Sequence, residues 1–176
     1  MKTITLKNEN IVHVVEEYDI PRYEMRVRDD CSDECEMAIE DIQNHCKIWV
    51  KSRDYSNLTN VEGDFDDLAG FQSAIGDEYE AFVLGAYIHS GTSFSISKTG
   101  DHRCRFDSGT LGFIGVPKGK NPDKIAEELT AAWNGEYQGY EIYDNLTDDY
   151  VDSTCSYDYN ELEEWKKEAR SKYNIQ

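Results

Sequence analysis

Two short motifs bring a serine, a histidine and an aspartate within 20 residues of one another, His89-Ser-Gly and Asp107-Ser-Gly. These are the residue types of a Ser-His-Asp hydrolase, in which an imidazole activates a hydroxyl and a carboxylate orients the imidazole. Neither serine lies in the Gly-x-Ser-x-Gly context of a nucleophile elbow. We therefore predict that the motifs shape strand ends, with glycines permitting bulges or positive φ and the aspartate capping a turn. The residues with this predicted structural role are His89, Ser90, Gly91, Asp107, Ser108 and Gly109.

Several cysteines and histidines could ligate a metal, but their spacing does not match a zinc site. Cys31-x-x-x-Cys35 and the pair His45-Cys46 lack the paired Cys-x-x-Cys knuckles of structural zinc sites. The chain has five cysteines and no apolar leader at its N-terminus. We therefore predict free thiols in a reducing cytoplasm, with no metal and no cofactor.

Clustered carboxylates suggest calcium, but the pattern is incomplete. Asp64-Phe-Asp-Asp67 resembles the start of a calcium-binding loop, whereas Ala69 and Ile75 occupy positions where that loop requires glycine and glutamate. A helix cap is the simpler interpretation of this cluster.

One part of the chain is basic against an acidic background. Residues 81–120 contain two acids and five bases, whereas the whole chain has 36 acids, 18 bases and a net charge of −18. Lys98, Arg103 and Arg105 could contact phosphates while Phe94 and Phe106 stack on bases. The remaining negative charge opposes such an encounter, so we predict no direct nucleic-acid binding.

The net charge favours basic partners and disfavours anionic membranes, and no apolar run is long enough for a membrane span. Averaged over the surface of a 20.3 kDa globule, this charge is far sparser than the phosphates of DNA. Imitation of a nucleic acid would therefore require acids gathered on one face.

The stretch 144–168 is the predicted partner-binding face, because nine acids alternate there with tyrosines. Tyrosine offers rigid amphipathic contact area, and carboxylates steer a basic partner. A solvated surface is the alternative interpretation. The predicted contact residues are Asp144, Asp148, Asp149, Tyr150, Asp152, Tyr157, Asp158, Tyr159, Glu161, Glu163 and Glu164.

Hydrophobic periodicity predicts the elements that position these residues. Predicted strands lie at 4–6, 12–14, 23–27, 46–52, 81–88, 92–97, 109–116, 136–143 and 150–157. Predicted helices lie at 64–75, from Pro122 to 134 and at 160–173, with a helix or ordered acidic loop over 29–43. This order predicts an α+β fold, with a mostly antiparallel sheet and about three helices packed on it, in one domain over residues 1–176.

A series of motifs carries a family resemblance. Cys46-Lys-Ile-Trp-Val-Lys-Ser, His89-Ser-Gly-Thr-Ser-Phe-Ser and Phe106-Asp-Ser-Gly-Thr-Leu-Gly-Phe-Ile occur in that order, followed by Gly135-Glu-Tyr-Gln-Gly-Tyr and Val151-Asp-Ser-Thr-Cys. The chain resembles a family of small proteins carried by phages and conjugative plasmids. Phe106 stands where the family pattern has a tryptophan. The resemblance implies genomic context, in which small acidic proteins often block host defence as antirestriction or anti-CRISPR proteins.

These observations predict a non-enzymatic accessory protein of a mobile element. We expect it to inhibit a basic, nucleic-acid-handling host-defence protein or complex in the host cytoplasm through an acidic, DNA-mimic-like face. Two alternatives remain: a small hydrolase using His89, Ser90 and Asp107, or a structural or regulatory module whose charge serves solubility.

Overall fold

The computed structural model of the chain describes residues 2–8, 11–17, 21–28, 30–101 and 103–175, with the backbone alone for the first two ranges. The strands are β1 Lys2–Asn8, β2 Ile11–Glu17, β3 Tyr23–Arg28, β4 Lys47–Val50, β5 Tyr79–Ile88, β6 Thr92–Ser97, β7 Ser108–Pro117, β8 Gln138–Asp144 and β9 Asp149–Ser156. The α-helices are α1 Ser32–His45, α2 Leu68–Ile75, α3 Pro122–Asn134 and α4 Tyr159–Tyr173, and a 3₁₀ helix covers Arg53–Leu58.

The predicted α+β class with antiparallel pairing is confirmed. The described strands form a two-stranded sheet β1-β2, a three-stranded sheet β3-β8-β9 and a four-stranded sheet β4-β7-β5-β6, rather than one sheet. The chain divides into two compact units, which are described separately. One domain over residues 1–176 stays a prediction.

The first unit comprises Met1–Asp29, Gly139–Thr154 and Asp158–Gln176. It contains the β1-β2 hairpin, most of the three-stranded sheet and α4. Leu162 and Ala169 form the buried stripe of α4, and Ile142 of β8 is fully buried. Val27 of β3, predicted to alternate inward, is instead 68% exposed.

The second unit, Asp30–Gln138 with Cys155–Tyr157, is built on the four-stranded sheet. Its two central strands are β5 and β7, the strands whose apolar runs predicted burial. One face of the sheet packs against α1 and α3 through a core that includes Ile48, Leu84 and Ile114. The other face packs against α2 through a second cluster, which includes Trp49 and Phe71.

Local sequence signals set the helix ends of the second unit. Asn121 caps α3 by accepting from the backbone N–H of Asp123, Pro122 occupies its first turn, and Gly135 ends it in the left-handed conformation. Asp67 caps α2 by accepting from the Gly70 N–H, and Gly76 ends that helix at φ 84°. The predicted caps are confirmed, although α2 begins four residues later than the predicted helix at 64–75.

A disulfide joins Cys31 to Cys155, so the prediction of five free thiols is wrong for this pair. Cys31 is the N-cap residue of α1, and Cys155 lies near the end of β9, 124 residues away. Spacing patterns reveal only ligands or bridges that are close in sequence, so this pairing was not visible in the chain. Cys35, Cys46 and Cys104 are free.

Candidate functional site: an acidic surface around α2

The histidine and aspartate of the two predicted motifs meet at one end of the four-stranded sheet. Residues 89–91 connect β5 to β6, and the backbone N–H of Ile88 donates to the carbonyl of Asp107 at 2.7 Å. His89 Nδ1 lies 3.7 Å from Asp107 Oδ2, with 70% of the imidazole side chain exposed. Cys104 Sγ lies 3.5 Å from the same carboxylate oxygen.

The serines are engaged with the backbone. Ser90 Oγ donates to the carbonyl of His89 at 2.6 Å, and Ser108 Oγ accepts from the backbone N–H of Cys104 at 2.9 Å. A hydroxyl that donates to its neighbour's carbonyl is not delivering its proton to an imidazole, which the hydrolase mechanism requires. This geometry supports the predicted structural role of the motifs.

The prediction that Gly91 and Gly109 permit a bulge or a positive φ was wrong. Positive φ at this turn belongs to Ser90, at 59°, and neither Gly91 nor Gly109 has a positive φ. The bulge lies further along β7, at Leu111, opposite the register shift between Leu84 and Gly85 of β5.

We predict that Ser90→Gly increases the free energy of unfolding. The left-handed conformation costs a non-glycine residue about 1 kcal/mol, and glycine removes that cost. Loss of the hydrogen bond to the His89 carbonyl offsets part of the gain, so we expect a net increase of about 0.5 kcal/mol. Urea denaturation followed by circular dichroism measures the change, with Ser90→Ala as the control that loses the hydroxyl and keeps the strain. A Ser90→Gly variant less stable than Ser90→Ala would contradict the assignment.

Two of the five basic residues of the segment 81–120, Lys98 and Arg103, form ion pairs within the described part of the chain. Arg103 donates to the buried carboxylate of Asp101 through Nε at 2.8 Å and to Ser93 Oγ at 3.1 Å. Hydrogen bonds from Arg103 outweigh burial and lower the pKa of Asp101 to about 2. Lys98 pairs with Glu80 at 2.8 Å.

The two phenylalanines proposed for base stacking lie in unlike surroundings. Phe94 is buried in the core, whereas Phe106 is 91% exposed on the turn before β7. They do not form one stacking surface.

Much of the predicted acidic face at 144–168 neutralises cations of the same unit. Asp144 is 1% exposed and pairs with Arg22 at 3.1 Å, so its assignment as a surface contact is wrong. Asp152 accepts from Lys172 Nζ at 2.8 Å and from the Tyr173 hydroxyl at 2.9 Å. These ion pairs neutralise carboxylates that would otherwise be available to attract a basic binding partner.

Two more of the predicted contact acids interact with groups of helix α4. Glu163 pairs with Lys166, and Asp158 caps the helix by accepting from the Asn160 N–H at 2.8 Å. Tyr157, which was predicted to be part of the same face, belongs to the second unit. The predicted contact residues that are exposed in the first unit are Asp148, Asp149, Tyr150, Tyr159, Glu161 and Glu164.

A second acidic surface, not predicted from the sequence, surrounds α2. Residues 54–97 contain eight acids and no lysine or arginine, and all eight acids are exposed. Among the described residues only Glu80 of these acids forms an ion pair. We name the group that precedes and follows the helix the α2 acidic surface: Glu62, Asp64, Asp66, Asp67, Asp77 and Glu78.

The two ends of α2 differ in their electrostatics. Acids before the helix, including the capping Asp67, interact favourably with the positive N-terminal end of the helix dipole. Asp77 and Glu78 follow the C-terminal end, where negative charge costs about 0.3–1 kcal/mol per group. Folding therefore does not account for the acids at the C-terminal end.

The scaffold beneath this surface holds it in place. The side chain of Gln72 in α2 accepts from the Ala81 N–H at 2.8 Å and donates to the Tyr79 carbonyl at 3.1 Å. Trp49 Nε1 donates to the Gly63 carbonyl at 2.9 Å, which ties the preceding loop to β4. Phe71 is fully buried between α2 and the sheet. The acids thus project from a helix and a loop that hydrogen bonds and the buried Phe71 attach to the sheet.

The sequence carried one signal for this surface, the 44 consecutive residues from 54 to 97 without a lysine or arginine. Residues 144–168 combine acids with tyrosines, but they also contain two lysines, Lys166 and Lys167. No family model, no curated protein and no solved structure matches this chain. Within the described part of the chain, no helix is long and apolar enough to cross a membrane.

Proposed function

We propose that this protein is an accessory protein of a phage or plasmid that binds and inhibits a basic, nucleic-acid-handling host-defence protein. The His-Ser-Gly and Asp-Ser-Gly motifs support the mobile-element context through their family resemblance. The contact is assigned to the α2 acidic surface, and inhibition follows from occlusion of a cationic nucleic-acid site.

The observation that carries the proposal is the uncompensated charge of the α2 acidic surface. Helix α2 has eight residues, a length of about 12 Å at 1.5 Å per residue. Duplex DNA presents about seven phosphates over 12 Å of its axis. The six acids that flank this helix are comparable in number to those phosphates, and their concentration within residues 62–78 is well above the average for the chain.

Charge for solubility alone is the competing explanation, and it makes a different prediction about position. Solubility depends on net charge and is indifferent to where an acid stands. Binding to a cationic site depends on where the acids stand, because screening limits exposed charges to a range of about 8–10 Å. Two variants with equal charge changes at different sites therefore distinguish the explanations.

We predict that Asp77→Asn/Glu78→Gln slows association with a basic partner, whereas Asp148→Asn/Asp149→Asn does not. Both variants remove two exposed acids, and none of the four acids forms an ion pair among the described residues. Loss of steering should lower the association rate constant by about 10-fold at low ionic strength and flatten its salt dependence. Surface plasmon resonance across a salt series measures both quantities, with purified bacterial restriction and CRISPR effector complexes as candidate partners.

The same α2 variant should be more stable than the wild type by about 0.5–1 kcal/mol, because it removes negative charge from a helix C-terminus. Weaker binding together with higher stability would separate a role in binding from a role in folding. A larger effect of Asp148→Asn/Asp149→Asn would assign the contact to the face predicted from the sequence. Wild-type protein that binds none of the effectors and does not restore plating of unmodified phage on a restricting host would overturn the proposed function.

A further inference from the structure

Three potential metal ligands converge at the N-terminus of α1. The sulfurs of Cys31 and Cys155 and a carboxylate oxygen of Glu34 all lie within 4.8 Å of one another. Cys31 is 8% exposed, and Glu34 Oε2 is buried. Only the bond between the two sulfurs prevents them from acting as separate ligands.

Reduction changes the electrostatics of this group. A dithiol reductant supplies two electrons and two protons, the S–S bond breaks, each cysteine becomes a thiol, and the reductant becomes a disulfide. If both thiols then ionise, two thiolates and a carboxylate share one small volume. Mutual repulsion and burial disfavour that state, whereas a divalent cation stabilises it.

The position of Cys31 favours the thiolate form. As the N-cap residue of a 14-residue helix, Cys31 lies at the positive end of the helix dipole, which favours a thiolate. The carboxylate of Asp30, which accepts from the Ser32 N–H at 2.8 Å, opposes part of this effect. The other buried thiols behave differently. Burial raises the pKa of Cys46 to about 11 and also raises that of Cys35, so both stay protonated near neutral pH.

We propose that the reduced Cys31–Cys155 pair, together with Glu34, binds a thiophilic divalent cation such as Zn²⁺, and that the disulfide is the metal-free alternative form. Zinc bonds of about 2.3 Å to sulfur and 2.0–2.2 Å to oxygen place tetrahedral ligands about 3.5–3.8 Å apart. The two sulfurs must therefore move apart once their bond is broken, and this separation is still smaller than the 4.8 Å within which the three ligand atoms already lie. Two sulfurs and one oxygen leave a fourth position for water or an exchangeable ligand. Binding releases the two thiol protons, so affinity increases with pH.

Cobalt(II) is the probe for this site, because its spectrum reports thiolate ligands directly. The full-length protein is reduced with a phosphine, desalted without oxygen and titrated with Co²⁺. We expect one equivalent to produce a near-ultraviolet sulfur-to-cobalt charge-transfer band and intense visible bands of a four-coordinate ion. Zn²⁺ should abolish these bands and excess Mg²⁺ should not, which separates the site from general cation attraction to an acidic protein. The oxidised protein should give no sulfur-to-cobalt band.

Three variants test the ligands. Cys31→Ser should remove the charge-transfer band, and Glu34→Gln, which leaves both thiols in place, should keep a weaker band and lower Co²⁺ affinity by about 10-fold or more. Cys104→Ser is the matched control that removes a half-buried thiol elsewhere and should change neither quantity. A reduced wild type without a sulfur-to-cobalt band overturns the proposal. A charge-transfer band that is unchanged in Cys31→Ser also overturns it. The same holds if reduction abolishes the native circular dichroism spectrum and Co²⁺ does not restore it.

Discussion

Replacing Gly112 with alanine is expected to lower the free energy of unfolding by about 3 kcal/mol or more, the upper range for overpacking in a protein core. Gly112 lies in β7 between two neighbours, opposite Val50 of β4 and Leu84 of β5. A Cβ at this position would overlap the backbone carbonyl of Trp49 and lie 2.8 Å from the Cα of Val50. Backbone atoms of a paired strand cannot move aside as a flexible side chain can, so β4 would have to separate from β7.

Gly109→Ala is the matched control, because it makes the same substitution in the same strand. A Cβ at Gly109 has no heavy atom within 4 Å, and its φ is not positive, so we expect a change within about 0.5 kcal/mol. Urea denaturation monitored by circular dichroism measures both variants. Equal stability of the two would mean that β4 does not pair with β7 at this position.

The second large effect is expected for Arg103→Ala, which should destabilise the protein by about 3 kcal/mol, because it removes the cation from a buried carboxylate. Asp101 is 5% exposed and packs over Gly85, where an added Cβ would lie 2.7 Å from the Asp101 backbone nitrogen. The guanidinium also donates to the Ser93 carbonyl at 3.1 Å and lies 5.0 Å from the centre of the Tyr87 ring. Its removal leaves the Asp101 charge without its principal partner.

The pH dependence of this pair has a defined sign. The folded-state pKa of Asp101 is about 2, below its ordinary value of 3.8, because Arg103 hydrogen-bonds the ionised form. A lowered pKa stabilises the fold above about pH 4, and that contribution of about 2 kcal/mol disappears as pH falls from 4 to 2. The stability difference between wild type and Arg103→Ala should therefore shrink across this window.

Arg105→Ala serves as the control for the second prediction. Arg105 is exposed on the same turn and forms no ion pair within the described part of the chain, so its loss should change stability by less than about 0.5 kcal/mol. Thermal unfolding of the three proteins between pH 2 and 7 supplies the comparison. A constant difference between wild type and Arg103→Ala down to pH 2 would show that Asp101 is not the group that Arg103 stabilises.

Most secondary-structure elements were predictable from the sequence because their signals are local. The alternation of Thr92–Ser97 reappears as alternating burial in β6, and the apolar runs of β5 and β7 occupy the two central positions of their sheet. Pro122 and Gly135 bound α3 as expected, since each acts through its own backbone geometry. A signal confined to a few neighbouring residues needs no knowledge of the fold.

The candidate site was less predictable, because its electrostatics depend on which cations fold back onto which acids. Asp144 lies in an acidic stretch that predicts a surface position, but it is buried beside Arg22, which is 122 residues away in the sequence. Asp77 and Glu78 have no distinctive sequence pattern, yet neither forms an ion pair with a described lysine or arginine.

The sequence by itself therefore determined the strands, both ends of α3 and the strongly acidic character of this protein, each of which follows from a short-range pattern or from composition. Tertiary structure alone decided which acids remain uncompensated, that Cys31 meets Cys155, and that Ser90 carries the strained φ of its turn. The physical reason is distance along the chain. Ion pairs and disulfides act over a few ångströms in space, and folding brings together residues that are more than 100 positions apart in the sequence.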